Sequence, residues 1–343
     1  MKKMNVAVIG CSGMAQLHMD GVIANANANL YAICDNAPER LEIAHKKYPA
    51  PKTVLDYRDL VADPAVDAVV IVVPDYDHAE MTEAFLRAGK DVLCEKPMAL
   101  TLEECERMIR AEKETGRSLM IGQICRCTPA FIMAHDLIAG GVIGELYFIE
   151  SEYAHDYGRS SRGYNDWRVD PRRHPFIGGG CHAVDLLRWI AGNPTELYAL
   201  SNHKCLTDWP VNDCTAALMK FPNGVIGKVM ASIGCKRDYT MRSVFYGTKG
   251  TIICDNTSDH IQLFEDRPEL GRPLYHKKPQ ILPVAVNSHN CVAEIDVFLK
   301  AITSADRKIP VSSFEGAATV AVCCAALESS ETGLPVKIWY PEV

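Results

Sequence analysis

The first 124 residues alternate between short apolar stretches and longer amphipathic ones, and this alternation limits the possible folds more than any other feature of the sequence. The apolar stretches end at turn residues and predict β-strands at 4–9, 29–35, 65–74, 91–97 and 118–124. The amphipathic segments between them predict helices. Strands that alternate with helices at short spacing indicate a parallel sheet with helices on both faces.

The pattern changes after residue 124, where strands follow one another directly. Asn223 and Gly224 lie between two of these strands, in a sequence typical of a β-hairpin. Successive strands joined by tight turns predict a largely antiparallel sheet, with helices expected at about 288–304 and 314–331. We therefore predict two domains, an α/β domain at 1–124 and an α+β domain at 125–343.

The composition argues against nucleic-acid and membrane partners. The chain has 36 Lys and Arg against 43 Asp and Glu, a formal net charge of −7, and no basic cluster with interleaved aromatic residues. The N-terminal apolar stretch is too short for the core of a signal peptide, and none reaches the roughly 18–20 residues that span a bilayer. We predict a cytoplasmic protein whose partner is a small molecule.

The fourteen cysteines are irregularly spaced and include no Cys-x-x-Cys pair. This pattern is typical of free thiols in a reducing compartment. Cys181 and His182 are adjacent potential zinc ligands, but no second ligand pair lies near them in the sequence. We predict no metal site.

The segment AVIGCSGMAQLH at 7–18 predicts a glycine-rich turn between the first strand and a helix. Such a turn can hold a pyrophosphate on backbone N–H groups and the helix N-terminus. Gly10 and Ala15 occupy the outer positions of the G-x-G-x-x-G/A fingerprint, whereas Ser12 replaces its middle glycine and Gly13 follows. The motif by itself is also compatible with a tight turn that binds nothing.

Asp35 supports the dinucleotide interpretation because it ends the second predicted strand. A carboxylate at that position accepts hydrogen bonds from the ribose hydroxyls and repels a 2′-phosphate, which favours NAD over NADP. The alternative is a loop or capping residue without a ligand.

Glu95, Lys96 and Pro97 end a later strand, at the edge where ligands of open α/β sheets bind. A lysine there can exchange a proton with a substrate hydroxyl, since partial burial and a cationic nicotinamide ring would both lower its pKa. Pro97 would fix the backbone that orients the lysine. A salt-bridged turn after the strand is the structural alternative.

These motifs occur in the order seen in the glucose-fructose oxidoreductase/inositol dehydrogenase (Gfo/Idh/MocA) family, which the whole chain resembles. The resemblance rests on VIGCSGMAQLH, VPDYDHAEMTEAFLRAGKDVLCEKPMAL, GQICRCTPA, GGGCHAVDLLRW and VFYGTKGTI. It implies a Rossmann domain followed by a domain with a large, open, mostly antiparallel sheet. It also implies tightly held NAD(P), oxidation or reduction of a sugar, polyol or inositol, a homodimer or homotetramer, and a cis Lys96–Pro97 peptide.

The resemblance also implies roles for individual residues. It implies that Lys96, His182 and Asp185 are catalytic. The cofactor set predicted from the motifs and the resemblance together is Gly10, Ser12, Gly13, Met14, Ala15, Asp35, Arg40, Pro74, His78, Glu95, Lys96, Gln123, Trp167 and Arg168. The corresponding substrate set is Lys96, Arg126, His155, Asp170, His182 and Asp185.

The sequence departs from the family at Gly178, where many members have an acid four residues before the histidine. Asp170 or His155 could supply the missing group from the preceding loop. Three functions therefore stay open. The first is an NAD-dependent dehydrogenase acting on a secondary hydroxyl of a sugar, glycoside or inositol-type polyol. The second is a glycosidase or lyase that oxidises its sugar transiently, and the third is a non-catalytic cofactor-binding sensor.

Overall fold

The computed structural model describes residues 3–160, 167–265 and 278–341, and the chain divides into two compact units. Unit 1 comprises Met1–Ile124, His289–Val320 and Pro341–Val343. Unit 2 comprises Cys125–Ser288 and Ala321–Tyr340.

Unit 1 contains a six-stranded sheet with helices. Its strands are β1 Met4–Ile9, β2 Ala28–Cys34, β3 Lys52–Val54, β4 Ala68–Ile71, β5 Asp91–Glu95 and β6 Leu119–Gly122. Its helices are α1 Gly13–Ala24, α2 Pro38–Lys47, α3 Arg58–Val61, α4 His78–Arg87, α5 Leu102–Thr115 and α10 Cys291–Thr303. The strands are all parallel, in the order β3-β2-β1-β4-β5-β6. This is the strand order of a Rossmann fold.

The local signals in this unit form as predicted. The strands β4 and β5 are buried along their whole length, as expected for the centre of a parallel sheet. Thr101 and Glu104 form the reciprocal bonds of a capping box at the start of α5. The parallel sheet predicted from the alternating pattern is confirmed.

Unit 2 contains a nine-stranded sheet. Its strands are β7 Leu146–Ala154, β8 Glu196–Asn202, β9 Cys214–Lys220, β10 Ile226–Ser232, β11 Thr240–Gly247, β12 Gly250–Asp255, β13 His260–Glu265, β14 Gln280–Pro283 and β15 Val336–Lys337. Its helices are α6 Pro129–Ala139, α7 Tyr157–Ser160, α8 Pro175–Gly178 and α9 Cys181–Ala191, and α11 Ser313–Thr332 continues into it from unit 1.

The nine strands lie in the order β14-β13-β12-β11-β7-β10-β9-β8-β15. Only β7 and β10 pair in parallel, so the predicted mostly antiparallel sheet is confirmed. The strands β9 and β10 form the predicted hairpin, in which Gly224 adopts a φ of 83°. Helix α9 packs on β7 and β10.

The predicted domain boundary after residue 124 coincides with the first break between the units. The prediction assigned everything beyond it to the second domain, whereas His289–Val320 groups with unit 1. Helix α10 packs on α1, where a side chain at Gly21 would meet the Cys291 carbonyl at 2.9 Å. The Ile121 amide also donates a hydrogen bond of 3.0 Å to the Val311 carbonyl beside β6.

None of the fourteen cysteines, all of which lie within the described residues, forms a disulfide bond. Within residues 3–160, 167–265 and 278–341, no helix combines the length and the apolar character needed to cross a bilayer.

Candidate active site

The turn between β1 and α1 requires glycine at its first position. Gly10 adopts a φ of 101°, and a β-carbon there would lie 2.1 Å from the Val72 carbonyl oxygen. Both the left-handed backbone and the contact with neighbouring backbone exclude a side chain. The turn can therefore bring its backbone close to a ligand.

Helix α1 begins immediately after this turn, with Gly13, Met14 and Ala15 in its first turn. Ser12 is the N-cap residue, but its hydroxyl caps none of the helix amides, and the first turn has no acidic residue. The helix N-terminus therefore offers N–H donors and a positive dipole end without a competing carboxylate. This arrangement fits a pyrophosphate.

Asp35 follows β2 and its carboxylate is almost fully buried. It accepts hydrogen bonds from the amides of Cys11, at 3.0 Å, and Ala37, at 2.8 Å. Arg40, on α2 and more than half exposed, donates to the same carboxylate at 2.8 Å. The Asp35 carboxylate thus fixes the turn beside Gly10 and holds the long, cationic side chain of Arg40 next to it.

Two further predicted cofactor residues lie at the carboxyl edge of the sheet in unit 1. Pro74 follows β4 and precedes a short 3₁₀ turn, and Gln123 follows β6. Gln123 is 1% exposed, and neither its amide oxygen nor its amide nitrogen has a hydrogen-bond partner among the described residues. A buried amide of this kind calls for a partner that the described protein atoms do not supply. The turn at Gly10, the α1 N-terminus and this amide fit a bound dinucleotide.

Glu95 ends β5, Lys96 follows it, and the Lys96–Pro97 peptide bond is cis, as the resemblance implies. The Glu95 carboxylate lies 2.8 Å from His18 Nε2 and accepts a 3.1 Å hydrogen bond from the Lys96 amide. Burial alone raises the pKa of Glu95, but His18 and Lys96 outweigh it and lower this pKa below its ordinary value. Glu95 is therefore an ionised, hydrogen-bonded carboxylate behind Lys96.

His78, predicted to line the nicotinamide end, is 1% exposed at the start of α4. Its Nδ1 lies 2.8 Å from the Pro97 carbonyl and its Nε2 lies 3.1 Å from the Val73 carbonyl. Burial lowers the pKa of His78, but Cys94, Asp75 and the Pro97 carbonyl together raise it to about 9. Two carbonyl acceptors favour the doubly protonated ring, which holds the turn that carries Lys96.

The second group of predicted residues lies in unit 2. His182 is in the first turn of α9 and is 3% exposed. Its Nδ1 lies 3.7 Å from the Cys125 sulfur, and its ring stacks on Tyr153 with centroids 6.0 Å apart. The Tyr153 hydroxyl hydrogen bonds with the Tyr157 hydroxyl at 3.0 Å and with His155 Nδ1 at 3.2 Å. His182 therefore borders a cluster of aromatic and hydroxyl groups.

Asp185 is fully buried one turn beyond His182. Arg126 donates two hydrogen bonds to its carboxylate, at 2.8 and 2.9 Å, and Arg188 lies 3.7 Å from it. The Asp185 carboxylate is thus buried between two guanidinium groups, those of Arg126 and Arg188.

Gly178 ends α8, and the guanidinium of Arg173 fills the space beside it. A β-carbon on Gly178 would lie 2.1 Å from Arg173 Nη2. Arg173 is 3% exposed, and its guanidinium carbon lies 4.3 Å from the centroid of the Trp167 ring. A cationic side chain therefore lies where the resemblance implies an acidic one.

The remaining predicted residues of unit 2 lie in the loop before α8. Asp170 accepts hydrogen bonds from the amide and the guanidinium of Arg172 at 2.6–2.9 Å. Its bonds with Arg172 lower the pKa of Asp170 to about 2. Trp167 and Arg168 form a 3₁₀ turn, in which the Arg168 guanidinium lies 4.7 Å from the Trp167 ring centroid. Residues 161–166, which precede this turn, lie outside the described residues.

Four residues near these groups escaped the sequence analysis: His18, Tyr153, Arg173 and Glu294. Two of them, His18 and Glu294, could have been found in the sequence, because each interrupts the apolar face of its helix, α1 or α10. Tyr153 and Arg173 had none, since only their contacts with His182 and Gly178 distinguish them from other loop and strand residues.

Two family models match the chain. The model described as "Oxidoreductase family, NAD-binding Rossmann fold" matches residues 4–123, and the GFO/IDH/MocA C-terminal domain matches residues 131–253. The 1,5-anhydro-D-fructose reductase of Ensifer adhaerens is 31% identical over 256 residues, 73% of this chain and 75% of that protein. The chain belongs to the Gfo/Idh/MocA oxidoreductase family. The predicted family, the NAD-binding Rossmann domain and the oxidoreductase class are thereby confirmed.

Other members of the family match along nearly the whole chain. Inositol 2-dehydrogenase 2 of Saccharopolyspora erythraea is 28% identical over 344 residues, which cover 98% of this chain and 96% of that protein. The crystal structure of a levoglucosan dehydrogenase in complex with NADH and levoglucosan superposes with a TM-score of 0.89. The superposition covers 98% of this chain and 100% of the levoglucosan dehydrogenase chain. At 23% identity, this similarity shows a shared fold alone.

Proposed function

We propose that this protein is an NAD-dependent dehydrogenase that oxidises a secondary hydroxyl of a sugar, glycoside or inositol-type polyol. The main support for this proposal is the position of Lys96. It directly follows β5, at the carboxyl edge of a sheet whose first turn fits a pyrophosphate. The names of the relatives support the substrate class, since they include inositol, levoglucosan and anhydrofructose enzymes.

The residues of unit 1 would hold the cofactor. The Gly10 turn, the Ser12 hydroxyl and the α1 amides suit the pyrophosphate, Asp35 suits the ribose hydroxyls, and Gln123 suits an amide-bearing ring. NAD, when bound, supplies the hydride acceptor. His78 and Glu95 support the turn that orients Lys96.

Lys96 and His182 are our proposed proton-transfer residues. Each has a side chain able to take and return a proton, and His182 is held by buried neighbours, Cys125 and Tyr153. Asp185 is better suited to position the α9 residues than to transfer a proton, because its buried carboxylate is engaged by Arg126 and Arg188. This changes the role that the resemblance implies for Asp185.

The test is reduced-nicotinamide absorbance of the purified protein with NAD⁺ across neutral pyranosides, aldoses and inositols. We expect one substrate class to give activity. Lys96→Ala and His182→Ala should each lower kcat by about 10²–10⁴-fold, the range of a lost general acid or base, with NADH affinity nearly unchanged. Lys113→Ala, on the solvent side of α5, is the matched control. Full turnover in either active-site variant would contradict the assignment.

The preference for NAD over NADP is also a proposal, supported by the buried Asp35 carboxylate. Its pairing with exposed Arg40 sharpens the test. Asp35→Ser should remove the repulsion and release Arg40 to bind a 2′-phosphate. The NAD⁺/NADP⁺ ratio of kcat/KM should fall by roughly 10–100-fold, as expected for one charged hydrogen bond. An unchanged ratio would mean that Asp35 does not select the cofactor.

Transient oxidation followed by cleavage is the second candidate, favoured by the cationic Arg173 beside Gly178. It predicts altered sugars without net NADH in the same assay mixtures. Chromatography of those mixtures distinguishes it from a dehydrogenase, whose product appears in equal amount with NADH.

We further propose a cytoplasmic homodimer or homotetramer that associates through the sheet of unit 2. Strands β8–β10 expose a set of apolar side chains, comprising Tyr198, Leu200, Leu218 and Ile226. The absence of disulfides among the fourteen cysteines supports a reducing compartment. Light scattering after size exclusion tests the assembly, and Leu200→Lys should shift it towards the monomer.

A further inference from the structure

Glu294 lies on the buried face of α10, among apolar side chains. It is 1% exposed, and both carboxylate oxygens are buried without a hydrogen-bond partner among the described residues. Leaving a charged carboxylate in such a place costs several kcal/mol, whereas a protonated one costs much less. The site therefore favours the uncharged acid.

The titratable groups around Glu294 come from three segments of unit 1. Helix α1 contributes His18, the end of β5 contributes Glu95 and the following Lys96, and α10 contributes Cys291. His289, just before α10, interacts electrostatically with Lys96, Glu95 and His18. One donor atom each of His18, Cys291 and Glu294 lie within 4.8 Å of one another. Glu294 is thus part of the buried cluster behind Lys96.

The two acids of this cluster have opposite surroundings. Glu95 receives hydrogen bonds from His18 and the Lys96 amide, and these stabilise its ionised form. Glu294 receives none from the described residues, and burial and the charge of Glu95 raise its pKa well above the ordinary value, opposed by Lys96. Neighbouring carboxylates in such different environments take different protonation states.

We propose that Glu294 carries a proton at neutral pH and acts as a positioning residue for Lys96. Of these two acids, only Glu95 then places a negative charge beside Lys96. Ionisation of Glu294 at alkaline pH adds a second negative charge to the cluster, which changes the electrostatic environment of Lys96. This inference rests on the proposed role of Lys96 in proton transfer.

The cluster of His18, Cys291 and Glu294 also has the donor atoms of a metal site, but the hydrogen bond between His18 and Glu95 argues against a bound metal. His18 Nε2 lies 2.8 Å from Glu95 and 4.0 Å from the Cys291 sulfur. The nitrogen that would face a metal is therefore already in a hydrogen bond with a carboxylate. Metal analysis of the purified protein remains a decisive check, because a bound cation would require ionised Glu294.

Difference infrared spectroscopy of the full-length protein tests the protonation directly. At neutral pH the wild type should show the carbonyl stretch of a protonated carboxylic acid, which Glu294→Gln should lack. Glu112→Gln is the matched control, since Glu112 is a partly buried glutamate of unit 1 that accepts hydrogen bonds from Leu119 and Ser313. This control should retain the band.

The pH profile of kcat/KM tests the positioning role. The wild type should show an alkaline ionisation that Glu294→Gln lacks and Glu112→Gln retains. Superimposable profiles of wild type and Glu294→Gln would overturn the positioning role.

Two results would overturn the proposed proton on Glu294. One is an acid band that persists in Glu294→Gln, and the other is a metal ion bound in stoichiometric amount. The infrared result does not depend on turnover, so a protein with the acid band but no hydride transfer would refute only the proposed function.

Discussion

The pH dependence of stability should reveal the proton on Glu294, and Glu294→Gln is the perturbation that isolates it. The folded state raises the pKa of this carboxyl, mainly through burial, while the unfolded chain has the ordinary value of about 4.3. Above that value the folded protein binds one more proton than the unfolded chain at this site. Its contribution to stability is therefore complete at low pH and declines as the pH rises towards the folded pKa.

The expected magnitude follows from proton linkage. One proton difference changes the unfolding free energy by about 1.4 kcal/mol per pH unit. Between about pH 5 and pH 7, the wild type should therefore lose roughly 2–3 kcal/mol relative to Glu294→Gln, whose amide does not titrate.

Urea unfolding at pH 4, 5, 6 and 7 measures this difference, provided that the m-value stays constant. The signal should come from unit 1, since a chain of two units need not unfold in one step. Glu106→Gln, an exposed position on α5, is the control and should parallel the wild type. Parallel curves for wild type and Glu294→Gln would refute the reasoning, because Glu294 would then have the same protonation in both states.

Two further substitutions test the two halves of the candidate site. Gly10→Ala should destabilise unit 1 by at least about 1–3 kcal/mol in urea unfolding, because φ is 101° and the new β-carbon would meet the Val72 carbonyl. The same substitution should abolish NADH binding, measured by fluorescence. Unchanged binding would contradict the proposed turn. Asp185→Asn should lower the unfolding free energy of unit 2 by about 3–5 kcal/mol, because Arg126 and Arg188 would lose their buried anion. A loss below 1 kcal/mol would show that this ion pair contributes little.

Features that depend on neighbouring residues were predictable from the sequence. The strand and helix alternation, the Thr101 capping box and the Asn223-Gly224 hairpin each depend on a few consecutive residues, and each forms as expected. The glycine-rich pattern at Gly10 was also visible locally, although the contact that excludes a side chain there comes from the distant Val72 carbonyl. The resemblance to the family came from the order of such local motifs.

The surroundings of the acids in the site depend on tertiary contacts. Arg126 lies 59 residues from Asp185, and Glu294 reaches the cluster of His18 and Glu95 only because α10 returns to pack on α1. No local spacing indicates which side chains such packing will bring together or remove from water. The sequence alone therefore determined the order of the elements and the glycine turn after β1. The folded structure determined that Glu95 is hydrogen-bonded and that the Glu294 carboxylate is buried without a hydrogen-bond partner among the described residues, because such contacts depend on long-range neighbours.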